Sequence, residues 1–414
     1  MSAGIVHGPV MSSPTDVSPP ATALPTNRNA AAVGVLFMVN GAAYSNWLPR
    51  VPEVRDRLGL DNAGLGASLI GGGIGGLIGS FLVARLLTRL GSRRLVLLAA
   101  PLLSLAVPLI AVVPSAFALA AVLTTIGLLD VLNDMAMNTQ GVIVQDGLGR
   151  SIMQRLHGGW SLGFVAGAVI GSIAAATRIS LGVHLVAVSA VLLVTLLVVR
   201  RWLIPVDPPA PPPVAIEPGR RPRRGITHVM VAIAVMAFAI AWVENTPNEW
   251  SAVMLRDVFN VSRATGAATV VFATAMLIGR LCGDHVVDRF GDRAVFDGAL
   301  VLALFGALVV IVSPWLGLAL VGFAVWGLGV SVIFPQLYGM AARLPGTTAG
   351  IGLGAMAVGQ RLGGLVSPVA VGFVADLHNL RWAFAVIVGT SLVLVVITRR
   401  TVASGRPSMI DPVL

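Results

Sequence analysis

Residues 79–94 read GSFLVARLLTRLGSRR, and residues 279–294 read GRLCGDHVVDRFGDRA. At an offset of 200 residues the two stretches share two glycines and two arginines: Gly79 and Gly279, Arg89 and Arg289, Gly91 and Gly291, Arg93 and Arg293. The same offset pairs further small residues: Gly127 with Gly327, Gly163 with Gly363, and Gly167 with Ser367. One offset that holds over so long a stretch indicates that the chain is an internal duplication.

The composition is typical of a protein that lies in a membrane. Of the 414 residues, 56% are hydrophobic and 11% are charged, whereas a soluble domain carries about 25% charged residues. The mean hydropathy is +0.89. Several apolar runs reach the roughly 20 residues that a helix needs to cross a bilayer. We therefore predict an all-α polytopic membrane protein.

Turn and charge signals divide the chain into twelve predicted transmembrane helices, six in each repeat. Their approximate ranges are 29–49, 62–88, 94–113, 116–144, 157–177, 181–200, 227–250, 262–287, 294–312, 315–341, 346–374 and 381–399. The fold class that follows is two six-helix bundles related by pseudo-symmetry.

The arginines orient these helices. Most of the 28 basic residues flank one set of helix ends, and cytoplasmic loops carry the excess of positive charge in membrane proteins. Both termini are therefore expected in the cytoplasm. Four tryptophans then fall at the outer interface and are expected to act as anchors there: Trp47, Trp250, Trp315 and Trp382.

The chain divides into five predicted segments. Residues 204–226 contain VDPPAPPPVAIEPGRRPRRG, whose prolines favour an extended linker and whose end is basic. The other segments are a disordered cytoplasmic tail over 1–28, a first bundle over 29–203, a second bundle over 227–400 and a cytoplasmic tail over 401–414.

Several classes of protein are excluded by the motifs that the sequence lacks. The single Cys282 leaves no cysteine metal cage, and no HExxH motif is present. The stretch GGGIGGLIG at 71–79 lacks the Lys-Ser/Thr of a phosphate loop and lies inside a predicted helix. The net charge of +10 sits in short loops, which argues against a nucleic-acid binder. We expect no cofactor and no enzymatic activity.

The stretch DVLNDMAMNTQG at 130–141 places acidic and amide side chains inside a predicted helix. Asp130, Asp134 and Asn138 recur every four residues and share one helix face. Burial and like charge both disfavour ionisation of such carboxylates, which suits groups that load and release protons. The alternative is that they form structural pairs with arginines. Asp134 is the first candidate for proton coupling, and Asp130 is a further candidate.

The stretch WVENTPNEW at 242–250 supplies a second acidic cluster. Glu244 is the deeper carboxylate, and we include it as a third proton-coupling candidate, although a structural role is equally compatible with its position. Glu249 is expected near the outer end as a solvated residue. Pro247, between them, frees a backbone carbonyl that a bundle tolerates at a cavity.

Other polar residues inside the predicted helices are candidates for binding a substrate. They are Asn40, Tyr44, Asn138, Asn245, Gln336, Tyr338, Gln360 and Arg361. Arg361 could bind an anionic substrate with two hydrogen bonds or act as the counter-ion of Asp134 or Glu244, and we favour the counter-ion role. His157 is interpreted as a hydrogen-bonding residue of a loop.

The duplicated loop resembles the signature Gly-x-x-x-Asp-Arg-x-Gly-Arg-Arg of the major facilitator superfamily. The second half keeps Asp288, Arg289, Gly291 and Arg293, with Asp284 at the position of the first glycine. The first half keeps Arg89, Gly91, Arg93 and Arg94, with Ala84 for that glycine and Thr88 for the aspartate. The resemblance covers nearly the whole chain. It implies the major facilitator fold and a gating role for Arg89, Gly91, Arg93, Asp288, Arg289, Gly291 and Arg293.

Within that superfamily the chain is similar to the fucose:proton symporter-like branch and its bacterial inner-membrane relatives. The likeness rests on Asp134-x-x-x-Asn138, HGGWSLG at 157–163, and Glu244 with NEWSAV at 248–253. We predict a monomeric transporter of a small sugar-like or other polar solute that works by alternating access in a bacterial inner membrane. Proton coupling is expected because buried carboxylates are available, and a polar solute because the polar side chains are amides, tyrosines, acids and one arginine. The alternatives are a proton-coupled exporter of drugs or metabolites and a non-transporting sensor with the same fold.

Overall fold

The computed structural model describes residues 25–205, 224–342 and 349–404. Throughout these ranges the regular structure is helical, which confirms the predicted all-α class. The α-helices are α1 Asn27–Ser45, α2 Val51–Leu58, α3 Asn62–Ala106, α4 Ala116–Leu148, α5 Met153–Ala176, α6 Leu181–Val199, α7 Arg224–Asp257, α8 Ala267–Phe290, α9 Asp292–Val312, α10 Leu316–Val330, α11 Ile333–Ala342, α12 Ala349–Leu377 and α13 Leu380–Ser404.

Two glycines set the breaks between neighbouring spans at equivalent places in the repeat. Gly91 lies at φ 76° and ψ 160° inside α3, and Gly291 lies at φ 81° and ψ 153° between α8 and α9. Side chains clash in this region of backbone space, so glycine is required at both positions. When α3 is divided at Gly91, and α10 and α11 are taken as one span, the part of the chain that the structure describes holds twelve long helices close to the predicted ranges.

Short turns and capping residues end the helices outside the apolar runs. Asp61 caps α3, because its Oδ1 accepts a hydrogen bond from the Gly64 backbone at 2.7 Å. Gly59 and Gly149 end α2 and α4 in the left-handed conformation. The sequence did not predict α2, an eight-residue helix between the first two spans.

Several described helices begin or end near the predicted segment boundaries, and the division into five segments stays a prediction. α1 begins at Asn27 and α7 at Arg224, near the predicted starts of the two bundles. α13 continues to Ser404, slightly beyond the predicted limit of the second bundle. The predicted tail and linker residues 1–24, 206–223 and 405–414 lie outside the described residues.

The repeat seen in the sequence is also a repeat of packing contacts. A Cβ atom at Gly163 would lie 2.1 Å from the carbonyl oxygen of Met38, and one at Gly363 would lie 2.5 Å from that of Phe238. The two glycines are 200 residues apart in the chain, and so are the two residues that they contact. Such close approach of backbones is how small residues join transmembrane helices. The first bundle, α1–α6, and the second bundle, α7–α13, therefore share one internal packing scheme.

The bundles meet where α3 packs against α12 and α5 packs against α8. We call one end of the molecule the Arg55 end, because it carries α2 and the last residues of α7 and α12. The opposite end carries Gly91 and Gly291 and is called the Gly91 end. Four tryptophans belong to the Arg55 end, but two of them are not interface anchors: Trp47 and Trp250 are 3% and 0% exposed. Trp315 and Trp382 are exposed.

Candidate functional site

Three helices of the first bundle hold Asp130 in a hydrogen-bonded chain. Asn40 on α1 donates from its Nδ2 to Asp130 Oδ1 on α4 at 2.9 Å. The indole Nε1 of Trp160 on α5 donates to Asn40 Oδ1 at 2.8 Å. Asn40 is 2% exposed, so both polar ends of its amide are satisfied away from water. The two candidates Asn40 and Asp130 are therefore in direct contact.

Asp134 lies one helical turn from Asp130 and is contacted by the next amide along the same helix. Asn138 donates to the Asp134 backbone carbonyl at 2.8 Å and to its Oδ1 at 3.1 Å. Asn138 is thus turned back onto its own helix. Arg361 on α12 of the second bundle lies near enough to interact electrostatically with the carboxylates of both Asp130 and Asp134.

Arg361 reaches from the second bundle towards these carboxylates. A Cβ at Gly76 of α3 would lie 3.2 Å from its Nη1, so the guanidinium rests against the first bundle. The side chain is exposed, and among the described residues no direct ion pair joins it to either aspartate. Arg361 therefore lies near the two partly buried carboxylates without a described ion pair to either.

A second charged group sits beside the first. Arg280 on α8 lies 3.3 Å from Glu244 on α7 and donates to Ser161 Oγ of the first bundle, also at 3.3 Å. The side chains of Arg280 and Glu244 are 30% and 16% exposed, respectively. The counter-ion of Glu244 is therefore Arg280, and the expectation that Arg361 could fill this role was wrong. Glu244 Oε2 is buried without a described hydrogen-bond partner.

The remaining candidates surround these charges on the second bundle and on α1. Tyr338 on α11 donates to Gln360 Oε1 on α12 at 3.1 Å and is 43% exposed. Asn245 faces α12, because its Nδ2 lies 3.2 Å from the place of a Cβ at Gly364. Tyr44 packs on Phe164 with ring centroids 6.2 Å apart. Gln336 is partly buried on α11, and no described hydrogen bond of its side chain joins it to this group.

The candidate gating residues make no described polar contact with the opposite bundle. Arg93 donates to the Arg200 carbonyl at 3.3 Å within its own bundle, and the Arg289 guanidinium lies 5.5 Å from the ring centroid of Phe290. Arg89, Asp288 and Arg293 are exposed. Among the described hydrogen bonds and ion pairs, none joins these loops across the two bundles at the Gly91 end.

The Arg55 end is joined across the bundles by two ion pairs that cross. Arg55 on α2 contacts both oxygens of Asp257 at the end of α7, at 2.5 and 2.8 Å. In the second pair the arginine belongs to α7 and the aspartate to α2, because Arg256 contacts Asp56. The hydrogen bonds that Arg55 donates to Asp257 raise the pKa of Arg55 above its ordinary value, although burial acts in the opposite direction. Both pairs join the first bundle to the second.

Backbone contacts extend this closure. Asp376 at the end of α12 accepts from the backbone N–H groups of Asn62 and Ala63 at 3.0 and 2.6 Å, which caps the N-terminus of α3. A Cβ at Gly66 would lie 2.3 Å from the carbonyl oxygen of Pro368. The bundles are therefore closed against each other at the Arg55 end and not joined by described polar contacts at the Gly91 end.

Four residues of this region were missed by the sequence analysis as site residues: Trp160, Ser161, Glu249 and Arg280. Arg280 is one of three arginines that lie more than two residues from the ends of the predicted spans, and that rarity was the available signal. Trp160 and Ser161 lie within the HGGWSLG stretch. Glu249 was expected to be solvated, which was wrong, because its Oε2 is buried.

Comparisons with known proteins agree with this architecture. Residues 233–410 match the family model of the Major Facilitator Superfamily. An uncharacterised MFS-type transporter of Yersinia pestis is 30% identical over 352 residues, which is 84% of this chain and 89% of the relative. The nucleoside transporter NupG superposes with a TM-score of 0.70 at 13% identity, over 90% of this chain and 98% of that one.

A second solved structure is a bacterial homolog of the human lysosomal transporter Spinster in an inward-facing and unoccupied conformation. It superposes with a TM-score of 0.72 at 13% identity, over 92% of this chain and 98% of that one. At these identities the two structures establish the fold alone. The likeness to the fucose:proton symporter-like branch stays a prediction. Together with the relative from Yersinia pestis, the duplicated bundles identify the chain as a multi-pass membrane transporter of the major facilitator superfamily, and not an enzyme.

Proposed function

We propose that the protein is a proton-coupled symporter of a small polar solute, such as a sugar-like metabolite, and that it works by alternating access. The observation that carries the proposal is the arrangement of Asp130 and Asp134 opposite Arg361. The carboxylates belong to one bundle and the guanidinium to the other, with no direct ion pair described between them. A relative movement of the bundles therefore changes the charge that the carboxylates face.

This arrangement links protonation to conformation. An ionised carboxylate in a low-dielectric site is stabilised by a nearby cation and destabilised when that cation withdraws. Arg361 approaching α4 favours proton release, and Arg361 withdrawing favours proton uptake. Asp134 is the group that we assign to the transported proton. Asp130 is a second carboxylate on which the charge of Arg361 acts. Glu244 is already paired with Arg280, so its role in coupling stays secondary.

The balance of charge and the kinds of side chain support a polar solute without net charge. Each of the two arginines faces a carboxylate, and the other groups are amides, phenols and an indole. Tyr338 and Gln360 can exchange hydrogen bonds with hydroxyl groups, and the rings of Tyr44 and Trp160 offer flat apolar faces. Asn40 is engaged with Asp130 and Trp160 and positions them. Asn138, Asn245 and Gln336 are further candidates on the same helices.

The orientation follows from the arginines. The Gly91 end carries Arg89, Arg93, Arg94, Arg150, Arg155, Arg200, Arg201, Arg289 and Arg293. We assign this end to the cytoplasm because positive charge accumulates there. The Arg55 end is then outside, both termini are inside, and the closed Arg55 end corresponds to an inward-open state. We propose the bacterial inner membrane as its location and a monomer as its working form.

The test begins with a thermal-shift screen of the purified protein against sugars, polyols and nucleosides. The solute that stabilises it most is then added to proteoliposomes that contain a trapped pH-sensitive dye. A symporter moves protons with the solute, so the lumen should acidify when the solute enters without any imposed gradient. Solute entry that leaves the lumenal pH constant contradicts proton coupling. Lumenal alkalinisation on solute entry indicates exchange against protons, as in an exporter.

A further inference from the structure

Glu249 lies on α7 between the central charges and the closed Arg55 end. It follows Glu244 by five residues and precedes Arg256 by seven. At 1.5 Å of rise per residue, these intervals place it about 8 Å from the level of the Arg280 pair and about 10 Å from the crossed ion pairs. The proposed function makes no use of this carboxylate.

Glu249 is partly buried, and no hydrogen bond or ion pair of its side chain is described. Its Oε2 is buried and has no described hydrogen-bond partner, and the next residue, Trp250, is fully buried. Ser251, two residues further along the chain, shares a hydrogen bond of 2.8 Å with Thr269 on α8 and none with the Glu249 carboxylate. Tyr44 on α1 of the first bundle lies near enough to interact with it electrostatically.

The charged and titratable side chains on the other elements packed against α7 are engaged elsewhere. Arg50 is paired with Glu53, Arg55 with Asp257, Asp56 with Arg256 and Arg280 with Glu244. Tyr338 donates to Gln360, Arg57 and Arg381 donate to backbone carbonyls, and Asp376 caps α3. Arg361 lies near Asp130 and Asp134 without a direct ion pair, and His285, Asp288 and Arg289 of α8 lie at the Gly91 end. In the closed Arg55 end no described cation is therefore directed at Glu249.

A carboxylate in such a place is far costlier to bury ionised than protonated, because nothing replaces its hydration. When the bundles separate at the Arg55 end, Tyr44 moves away from Glu249 and water reaches the carboxyl group. We propose that Glu249 is a second proton-binding site, which takes up a proton as the Arg55 end closes and returns it to the same side as that end opens.

This inference rests on the alternating access of the proposed function but assigns Glu249 a different role from Asp134. The proton on Glu249 does not cross the membrane, since it enters and leaves on one side. The pH on the side of the Arg55 end then sets how readily that end closes. The number of protons carried per solute does not change. For one titrating group, the ratio of closed to open molecules changes by at most about tenfold per pH unit.

The test measures closure directly in lipid nanodiscs. The single Cys282 is first changed to Ser, and spin labels are attached at cysteines in place of Val112 and Val312, which are 73% and 62% exposed at the Arg55 end. Asp130→Asn and Asp134→Asn are present throughout, so the central carboxylates cannot titrate. Distances between the labels are recorded from pH 5 to pH 9 with Glu249 present and with Glu249→Gln.

With Glu249 present, acidification should shift the distances towards the closed Arg55 end. With Glu249→Gln, the closed state should dominate and the pH dependence should vanish. Glu53→Gln is the matched control, because Glu53 is a 44% exposed carboxylate at the same end. It should keep the pH dependence. Glu249→Asp retains a carboxyl group, so closure should again depend on pH in this variant. A folding defect caused by changing residue 249 would not show this difference between Asp and Gln.

Two results would overturn the proposal. The first is an unchanged pH dependence of closure in Glu249→Gln. The second is a change in the number of protons carried per solute when Glu249→Gln alone is introduced into proteoliposomes, because that number reports a transported proton. Neither result depends on whether Asp134 carries the coupled proton, so failure of this site and failure of the proposed function are distinguishable.

Discussion

The first and second bundles can be compared residue by residue at the offset of 200. A Cβ at Gly127 would lie 2.1 Å from the Gly72 carbonyl oxygen, and one at Gly327 would lie 2.4 Å from that of Phe272. The offset relates both the glycines and the residues that they meet. Close packing of small residues fixes how helices approach in a membrane, so the duplicated scaffold is kept in both halves.

The polar residues do not follow the repeat. Asp130 and Asp134 of the first bundle correspond to Val330 and Phe334 of the second. Arg361 corresponds to Ser161, the residue that Arg280 contacts from the other side. The packing is therefore symmetric and the chemistry is not. A pair of charges that must be brought together or drawn apart by moving bundles requires this asymmetry.

The largest effect should follow from replacing Arg361 with serine, the residue found at the equivalent position 161 of the first bundle. Arg361→Ser removes the cation that faces Asp130 and Asp134, and removal of one partner of a buried pair costs about 3–5 kcal/mol. Arg361 is exposed, so the loss is smaller, but solute accumulation driven by a pH gradient should still fall by about tenfold or more. Arg178→Ser, at an exposed turn, is the control and should transport normally. Normal accumulation by Arg361→Ser would show that this charge is dispensable.

The packing repeat predicts equal losses of stability in the two bundles. Gly163→Ala and Gly363→Ala each force a methyl group against a backbone carbonyl, which costs about 1–3 kcal/mol. Gly158→Ala and Gly354→Ala are the controls, because a Cβ at either position meets nothing within 4 Å. Thermal unfolding in detergent measures all four. A substitution that is tolerated in one bundle and destabilising in the other would break the symmetry of packing.

The two loops at the Gly91 end differ in charge, because the second carries Asp288 where the first has Thr88. A carboxylate near a helix N-terminus contributes about 0.3–1 kcal/mol, and we expect Asp288 to meet the N-terminus of α5 when this end closes. Asp288→Asn should then favour states open at the Gly91 end, and Thr88→Asp should favour closed ones. Each population should move by about fivefold, as 1 kcal/mol implies. Spin labels at Gln154 and His285 measure the opening, and unchanged distances in both variants would contradict a latch.

The smallest effect is expected from the crossed ion pairs at the Arg55 end. Arg55→Gln should weaken closure by about 0.2–1 kcal/mol, since these side chains are partly exposed. The pKa of Arg55 is raised, so its charge is lost only as the pH rises through that higher value. Its contribution should therefore stay constant from pH 5 to pH 9 and decrease with added salt. The labels at 112 and 312 report this, and a salt-independent effect would exclude an electrostatic origin.

The sequence was sufficient for the fold because the fold depends on local and repeated signals. Apolar runs located the spans, and Gly91 and Gly291 marked equivalent breaks that the structure places at positive φ. Helix ends were the weaker part. The predicted span 227–250 ended at Trp250, whereas α7 continues to Asp257. Glu249 and Trp250 were for that reason assigned to the outer interface, although both lie inside the molecule.

The candidate site was predictable as a set of residues but not as a set of contacts. Asp130 and Asn40 were each expected from their polarity inside apolar helices, and their hydrogen bond depends on how α1 packs against α4. The pairing of Glu244 with Arg280 depends on the approach of α7 and α8. Such pairings come from tertiary packing, which periodicity along one helix does not encode.

The most direct test of the asymmetric coupling is the split between accumulation and exchange in Asp134→Asn. Proteoliposomes are loaded with the solute from the screen, and uptake of labelled solute is measured with an imposed pH gradient and again without one. Asp146→Asn, an exposed carboxylate near the end of the same helix, is the control. We predict that Asp134→Asn exchanges solute across the membrane but no longer concentrates it under the gradient. Accumulation by Asp134→Asn equal to that of the unmodified protein would contradict the account.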